Sequence, residues 1–214
     1  MAVTLRFGTY GSYYGNDYNS SNSLTMDQMK VNAKYIRSYL LDKGWTDNAI
    51  AGVLGNMQHE STINPGRWQG ENIGKGPAYG LVQWDPYTKY TEWAVLNGYS
   101  DPSVMDGNLA RVIYDFTHAV QYYPTSNYPE TRSEFTKSTK TPYYLACAFA
   151  FNYERSWVAL YGTEEEKEAL RQKRGNSATF WYEYLVGSTP ITPTTNKKKK
   201  GFNFLLFNKR RRII

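Results

Sequence analysis

Cysteine is nearly absent from this 214-residue chain. The single thiol, Cys147, rules out an intrachain disulfide. Its neighbours Leu145, Ala146, Ala148 and Phe149 mark it as a small buried hydrophobe, and nothing beside it in sequence would activate it as a nucleophile. Histidine is scarce too. His59 and His118 lack the spacing of metal ligands, so no zinc and no cofactor is expected. Long apolar runs are missing: residues 202–207 are far too short to cross a membrane, and residues 1–15 hold no signal-peptide core. No internal repeat is present. The formal charge of +6 is not a property of the body. Eight of the 25 Lys and Arg fall within residues 197–212, leaving 17 basic and 19 acidic side chains in residues 1–196. With no basic stripe along a helix, sequence-specific nucleic-acid binding by the body is not expected.

Aromatic residues are abundant: 20 Tyr, 9 Phe and 6 Trp. They suit a core or a groove that stacks on sugars. Residues 1–23, rich in Tyr, Gly, Ser and Asn, read as a flexible arm or an extended peptide docked on a partner. The body is expected from 24 to 187, a Pro/Thr linker over 188–196, and a basic amphipathic tail over 197–214. Thr25 to Gln28 forms a capping box before Met29, Ala33, Ile36 and Leu40 at helical spacing, and Gly44 ends that helix. Thr46 opens a second helix with Ile50, Val53, Leu54 and Met57 as its apolar stripe. Residues 62–84 read as a loop or small β-hairpin region. Further helix starts are Asp85-Pro86, Asp106, Thr141-Pro142 and the capping box at Thr163 to Glu166. The helix from Thr141 through Phe151 is apolar enough to be central and buried. The class is α+β, mostly α.

Three segments place polar groups at the ends of apolar elements: His59-Glu60-Ser61, Tyr79-Gly80-Leu81-Val82-Gln83-Trp84 and Asn152-Tyr153-Glu154-Arg155. Glu60 falls about 20° from Val53 on a helical wheel, on the shoulder of the buried face and near a helix C-terminus. Burial and the helix dipole both disfavour its ionised form, so a raised pKa is expected. A protonated carboxyl is what cleavage of a sugar–sugar bond requires, together with a group that stabilises the oxocarbenium-like centre. Asp85, Glu71, Glu154 or the substrate's own N-acetyl group could serve as that group. Gln83 could hold a sugar, and Trp68, Trp84 and Tyr153 could line subsites. His59, about 100° from Glu60, is expected to face solvent. A structural ion pair of Glu154 with Arg155 or another cation is set ahead of a second catalytic carboxylate, and a helix cap is the preferred role for Asp85.

Gly55 to Gly66, Gly80 to Trp84, Met29 to Ala33, Lys137 to Pro142 and Tyr153 to Arg155, in that setting, resemble the phage tail lysozyme family. The resemblance is to the lysozyme-like domain of the tail-knob, wall-degrading proteins of small podoviruses, and more distantly to goose-type lysozymes and lytic transglycosylases. It runs from about Leu24 to Leu185. It implies a lysozyme-like fold with a small β-hairpin region, attack on the β-1,4 MurNAc–GlcNAc linkages of peptidoglycan, and Glu60 as the catalytic acid. It also implies a place in the virion tail, acting on the host wall for genome delivery, with tail and knob proteins as partners. The zinc endopeptidase domain of those relatives is expected to have no counterpart here. The basic tail has three open readings: contact with anionic membrane or wall polymer, docking on a virion partner (preferred), or disorder. A non-catalytic peptidoglycan-binding module and a structural tail-tip protein remain as alternative functions.

Overall fold

A computed structural model describes residues 3–71 and 76–186. The basic tail and the linker before it lie outside the described residues, as does the side chain of Glu71.

The chain begins with an antiparallel hairpin, β1 (Thr4–Gly8) and β2 (Gly11–Gly15), in register from Thr4 opposite Gly15 to Gly8 opposite Gly11. It is followed by α1 (Met26–Asp42), α2 (Asp47–Ser61), α3 (Thr88–Leu96), α4 (Met105–Thr117), α5 (Arg132–Lys137), α6 (Pro142–Phe149), α7 (Trp157–Tyr161) and α8 (Glu164–Val186). The architecture is α+β, mostly α. Among the described residues no helix is long and apolar enough to cross a membrane.

Local chemistry sets most helix starts. Thr25 and Gln28 cap α1 reciprocally, Thr46 caps α2, and Thr141 caps α6 with Pro142 in its first turn. Thr163 and Glu166 exchange hydrogen bonds at the start of α8. Two expected starts are displaced. Asp85 caps nothing: it is exposed, and α3 begins at Thr88 behind Tyr87, without a side-chain cap. Asp106 lies one residue inside α4, where its carboxylate is taken by the Tyr35 hydroxyl and by Thr9. Tertiary partners outcompete the capping role there.

The segment expected as a loose arm is folded onto the chain's own α1. Tyr10 and Tyr13 are buried, edge-on to the Tyr35 ring. The buried Asn32 amide of α1 both accepts from Tyr14 N (2.7 Å) and donates to Tyr14 O (2.7 Å), doing for the inner edge of β2 what a third strand would do. The β element expected within 62–84 is reduced to single bridges, Trp68 to Tyr79 and Tyr79 to Trp84.

Helix α2 is the axle of the molecule, packed against α6 and α8. Its stripe Ile50, Val53, Leu54 and Met57 is fully buried. Two glycines permit the contact. A Cβ on Gly52 would lie 2.9 Å from the Leu145 backbone, and one on Gly55 would lie 2.7 Å from Arg174 O and 2.8 Å from the Ala178 Cβ. The helices therefore touch backbone to backbone, and the C-terminal end of α2 is pressed against the middle of α8.

Candidate active site

Glu60 is on the last turn of α2, half-buried, with its side chain 21% exposed. Just beyond it the backbone reverses through two consecutive non-glycine residues in the left-handed region, Thr62 (φ 54°) and Ile63 (φ 54°). Such conformations cost energy and collect at functional sites. Ile63 N closes onto Met57 O, and Thr62 Oγ1 accepts from Leu24 N, so the reversal is held from both sides. The Ser61 hydroxyl, wholly buried, donates to Leu81 O at 2.8 Å and so ties the Glu-Ser pair to the Gly80 loop. Gly80 is at φ 87°, and a Cβ there would strike Asn108 Oδ1 and the Trp84 ring.

Arg174 of α8 is the partner of Glu60. It is 9% exposed, donates through Nη1 to Asn56 O at 3.0 Å, and through Nη2 forms an ion pair with Glu60 Oε1. Sequence reasoning missed it, because α8 reads as a charged surface helix and the contact spans 114 residues.

The third member is Glu154. Helix α6 widens after Phe149 into a single π turn, Ala150–Glu154, closed by Arg155 N to Ala150 O at 2.9 Å. Turns of this kind are frequent at functional sites. The turn carries the Glu154 carboxyl inward. Burial pushes that carboxyl well above the ordinary range, the charge of Glu60 pushes the same way, and Arg174 opposes both. Glu154 forms no ion pair with Arg155, one of its expected partners; the cation whose charge acts on it is Arg174. The Arg155 guanidinium instead covers the Tyr123 ring, 4.8 Å from its centroid. Glu154 Oε1 and Arg174 Nε are both occluded without a hydrogen-bond partner. Unsatisfied buried groups cost about 1–3 kcal/mol each.

His59 does not face solvent. It is half-buried against α8, with Nε2 2.8 Å from Ser177 Oγ. Burial first, then the nearby Arg174 and Lys173, push its pKa down to about 4, so it is neutral near pH 7.

Three aromatic residues expected to line subsites are interior. Trp68 is fully buried, its indole N–H on Tyr18 O at 2.7 Å. Trp84 and Tyr153 both donate to Asp115 Oδ2, at 3.1 and 2.7 Å, while Asp115 Oδ1 accepts from Arg111 Nε at 2.7 Å. Asp115, with no exposed surface, is the reason: it gives the polar tips of both rings an inward partner, so neither offers a face to a sugar. Gln83 is half-buried at φ 51°, and its amide nitrogen braces the loop by donating to Arg67 O (3.0 Å) and Gly80 O (2.9 Å).

Ser61 thus anchors a loop beside a glutamate at a helix end. A model of the phage tail lysozyme family matches residues 31–185. The chain belongs to the phage tail lysozyme family. Morphogenesis protein 1 of Bacillus phage B103 is 43% identical over 173 residues, which are 79% of this chain and 43% of that protein. The chain thus spans less than half the length of this curated relative. For a phage tail lysozyme, a mostly helical body with one small sheet is the lysozyme-like arrangement that the sequence led us to expect. Glu60, Arg174 and Glu154 all fall within the matched region.

Proposed function

We propose that this phage tail lysozyme opens a bacterial cell wall from the virion tail by cleaving the β-1,4 linkage between N-acetylmuramic acid and N-acetylglucosamine. Glu60 is the proton donor to the leaving oxygen. The observation that carries this reading is the cluster in which Arg174 pairs with Glu60 while burial and the charge of Glu60 favour a proton on the neighbouring Glu154. Two carboxyls and one guanidinium holding a single proton are electrically balanced. Glycan seated over Glu60 excludes water and lowers the cost of moving that proton from Glu154 to Glu60, with Arg174 then facing the Glu154 carboxylate. Glu60 delivers it to the glycosidic oxygen as the C–O bond breaks. Water or the sugar's own 6-hydroxyl then captures the oxocarbenium-like centre and gives up its proton to the Glu60 carboxylate, which restores the acid.

Clearing of purified cell walls by the full chain and by Glu60→Gln is the test. Loss of a general acid lowers the rate by about 10²-fold or more, so equal clearing by both proteins removes Glu60 from this role. Mass spectrometry of the released fragments then separates reducing muramic ends (hydrolysis) from 1,6-anhydro ends (transglycosylation). A second reading, a non-catalytic glycan-binding or structural tail-tip protein, is favoured by one observation: Glu60 is engaged by Arg174. Absence of clearing by the unmodified chain, with wall binding retained, would select it.

A further inference from the structure

Behind Glu154 lies a cavity of about 390 Å³ whose walls include Lys89, Arg111, Gln121, Tyr123, Glu154 and Arg155. Three of those six side chains are cationic. Arg111 is spent: it is 6% exposed, ion-paired with Asp115, hydrogen-bonded to Lys89 O, and packed on the faces of Trp93 and Tyr114. Lys89 and Arg155 have no carboxylate partner among the described residues. The sole carboxyl of the wall is Glu154, whose charged form burial and the charge of Glu60 disfavour. Gln121 is fixed by donation to Tyr153 O at 2.7 Å. Arg155 is itself held in the left-handed region (φ 51°) by the close of the π turn, a strained setting for a side chain with no structural partner of opposite charge. Tyr123, 53% exposed, lines the cavity with one ring face under the Arg155 guanidinium and the other left open.

We propose that this cavity is a substrate subsite that takes a carboxylate carried by the glycan strand, on its lactyl arm or on its stem peptide. Arg155 and Lys89 are the recognising groups, with Tyr123 packing on the sugar beside it. The proposal rests on the glycan-cleaving reading above and deepens it. Glu154 belongs to both the cavity wall and the Glu60 cluster, so the subsite adjoins the proposed point of cleavage. A neutral chitin-type oligomer would leave both cations unmatched. This chemistry would make the enzyme prefer bacterial wall glycan over other β-1,4-linked N-acetylglucosamine polymers.

Calorimetric titration of the full chain carrying Glu60→Gln, with three probes, is the test. The probes are chitotetraose, a muramyl tetrasaccharide stripped of peptide so that its lactyl carboxylates are free, and the same tetrasaccharide bearing stem peptides. Adding Arg155→Gln or Lys89→Gln is expected to weaken a carboxylate-bearing probe roughly tenfold, about 1.4 kcal/mol, and to leave chitotetraose unchanged. Chitotetraose also reports that each variant is folded, and Lys89, being exposed, is a substitution the fold tolerates. Loss confined to the stripped probe assigns the lactyl group; loss on the peptide-bearing probe assigns the stem. An equal effect on all three probes, or no effect on any, overturns the subsite while leaving the glycan reading standing. Failure of the Glu60→Gln chain to bind any probe overturns both.

Discussion

At the scale of single residues, Glu154 is where pH acts on this molecule. Its carboxyl is raised above the unfolded value, so the folded chain binds a proton that the unfolded chain releases once pH exceeds about 4.3. Stability associated with Glu154 is therefore complete below that pH and is lost as pH climbs toward the folded value. Glu154→Gln keeps the shape and removes the titration. Its melting temperature relative to the unmodified chain is expected to rise as pH climbs above about 4.3; a difference independent of pH would show that the Glu154 carboxyl is not raised. The half-buried position of Glu60 was legible in sequence because helical spacing fixes its angle to Val53, and that spacing is local. Arg174 and Asp115 were not, because nothing in a charged helix or an i, i+4 Arg–Asp pair announces a buried partner on another element. The same blindness made Trp84 and Tyr153 candidate subsite residues, since an aromatic residue near a candidate catalytic motif reads alike whether its polar tip points outward or inward.

At the scale of elements, the chain's own capping side chains set the starts at Thr25, Thr46, Thr141 and Thr163, and these could be read directly. Three features follow from packing and could not. They are the left-handed pair Thr62–Ile63, the π turn Ala150–Glu154, and the backbone contact of α2 with α8. That contact gives a sharp expectation for Gly55→Ala. Alanine favours an isolated helix over glycine by about 1 kcal/mol, yet here its methyl group meets the α8 backbone at Arg174 and Ala178. Overpacking of about 1–3 kcal/mol outweighs the gain, so denaturant unfolding should report a less stable protein. Because the displaced backbone carries the guanidinium that meets Glu60, wall clearing should fall further than stability alone explains. A more stable, fully active variant would refute this account of the interface.

At the scale of the whole molecule, the matched family region begins at residue 31, inside α1, and omits the hairpin. Yet the hairpin buries Tyr10 and Tyr13 and satisfies Asn32. Two aromatic side chains of about 150–250 Å² each, at about 25 cal/mol per Å², are worth up to about 8–12 kcal/mol before the unfolded chain's own burial is discounted. Domain stabilities are about 5–15 kcal/mol. A fragment of residues 31–185 is therefore expected to lack a cooperative thermal transition by circular dichroism, whereas residues 1–186 should melt as one unit; a fragment that melts cooperatively would make the hairpin dispensable. The wide separation of Glu60 and Arg174 along the chain has a further consequence for the order of assembly. On the ribosome the glutamate and its loop emerge long before α8 is made, and the cluster closes only when that last described helix docks. A nascent chain ending before α8 thus carries Glu60 without Arg174, and the cluster is completed only once α8 has been made.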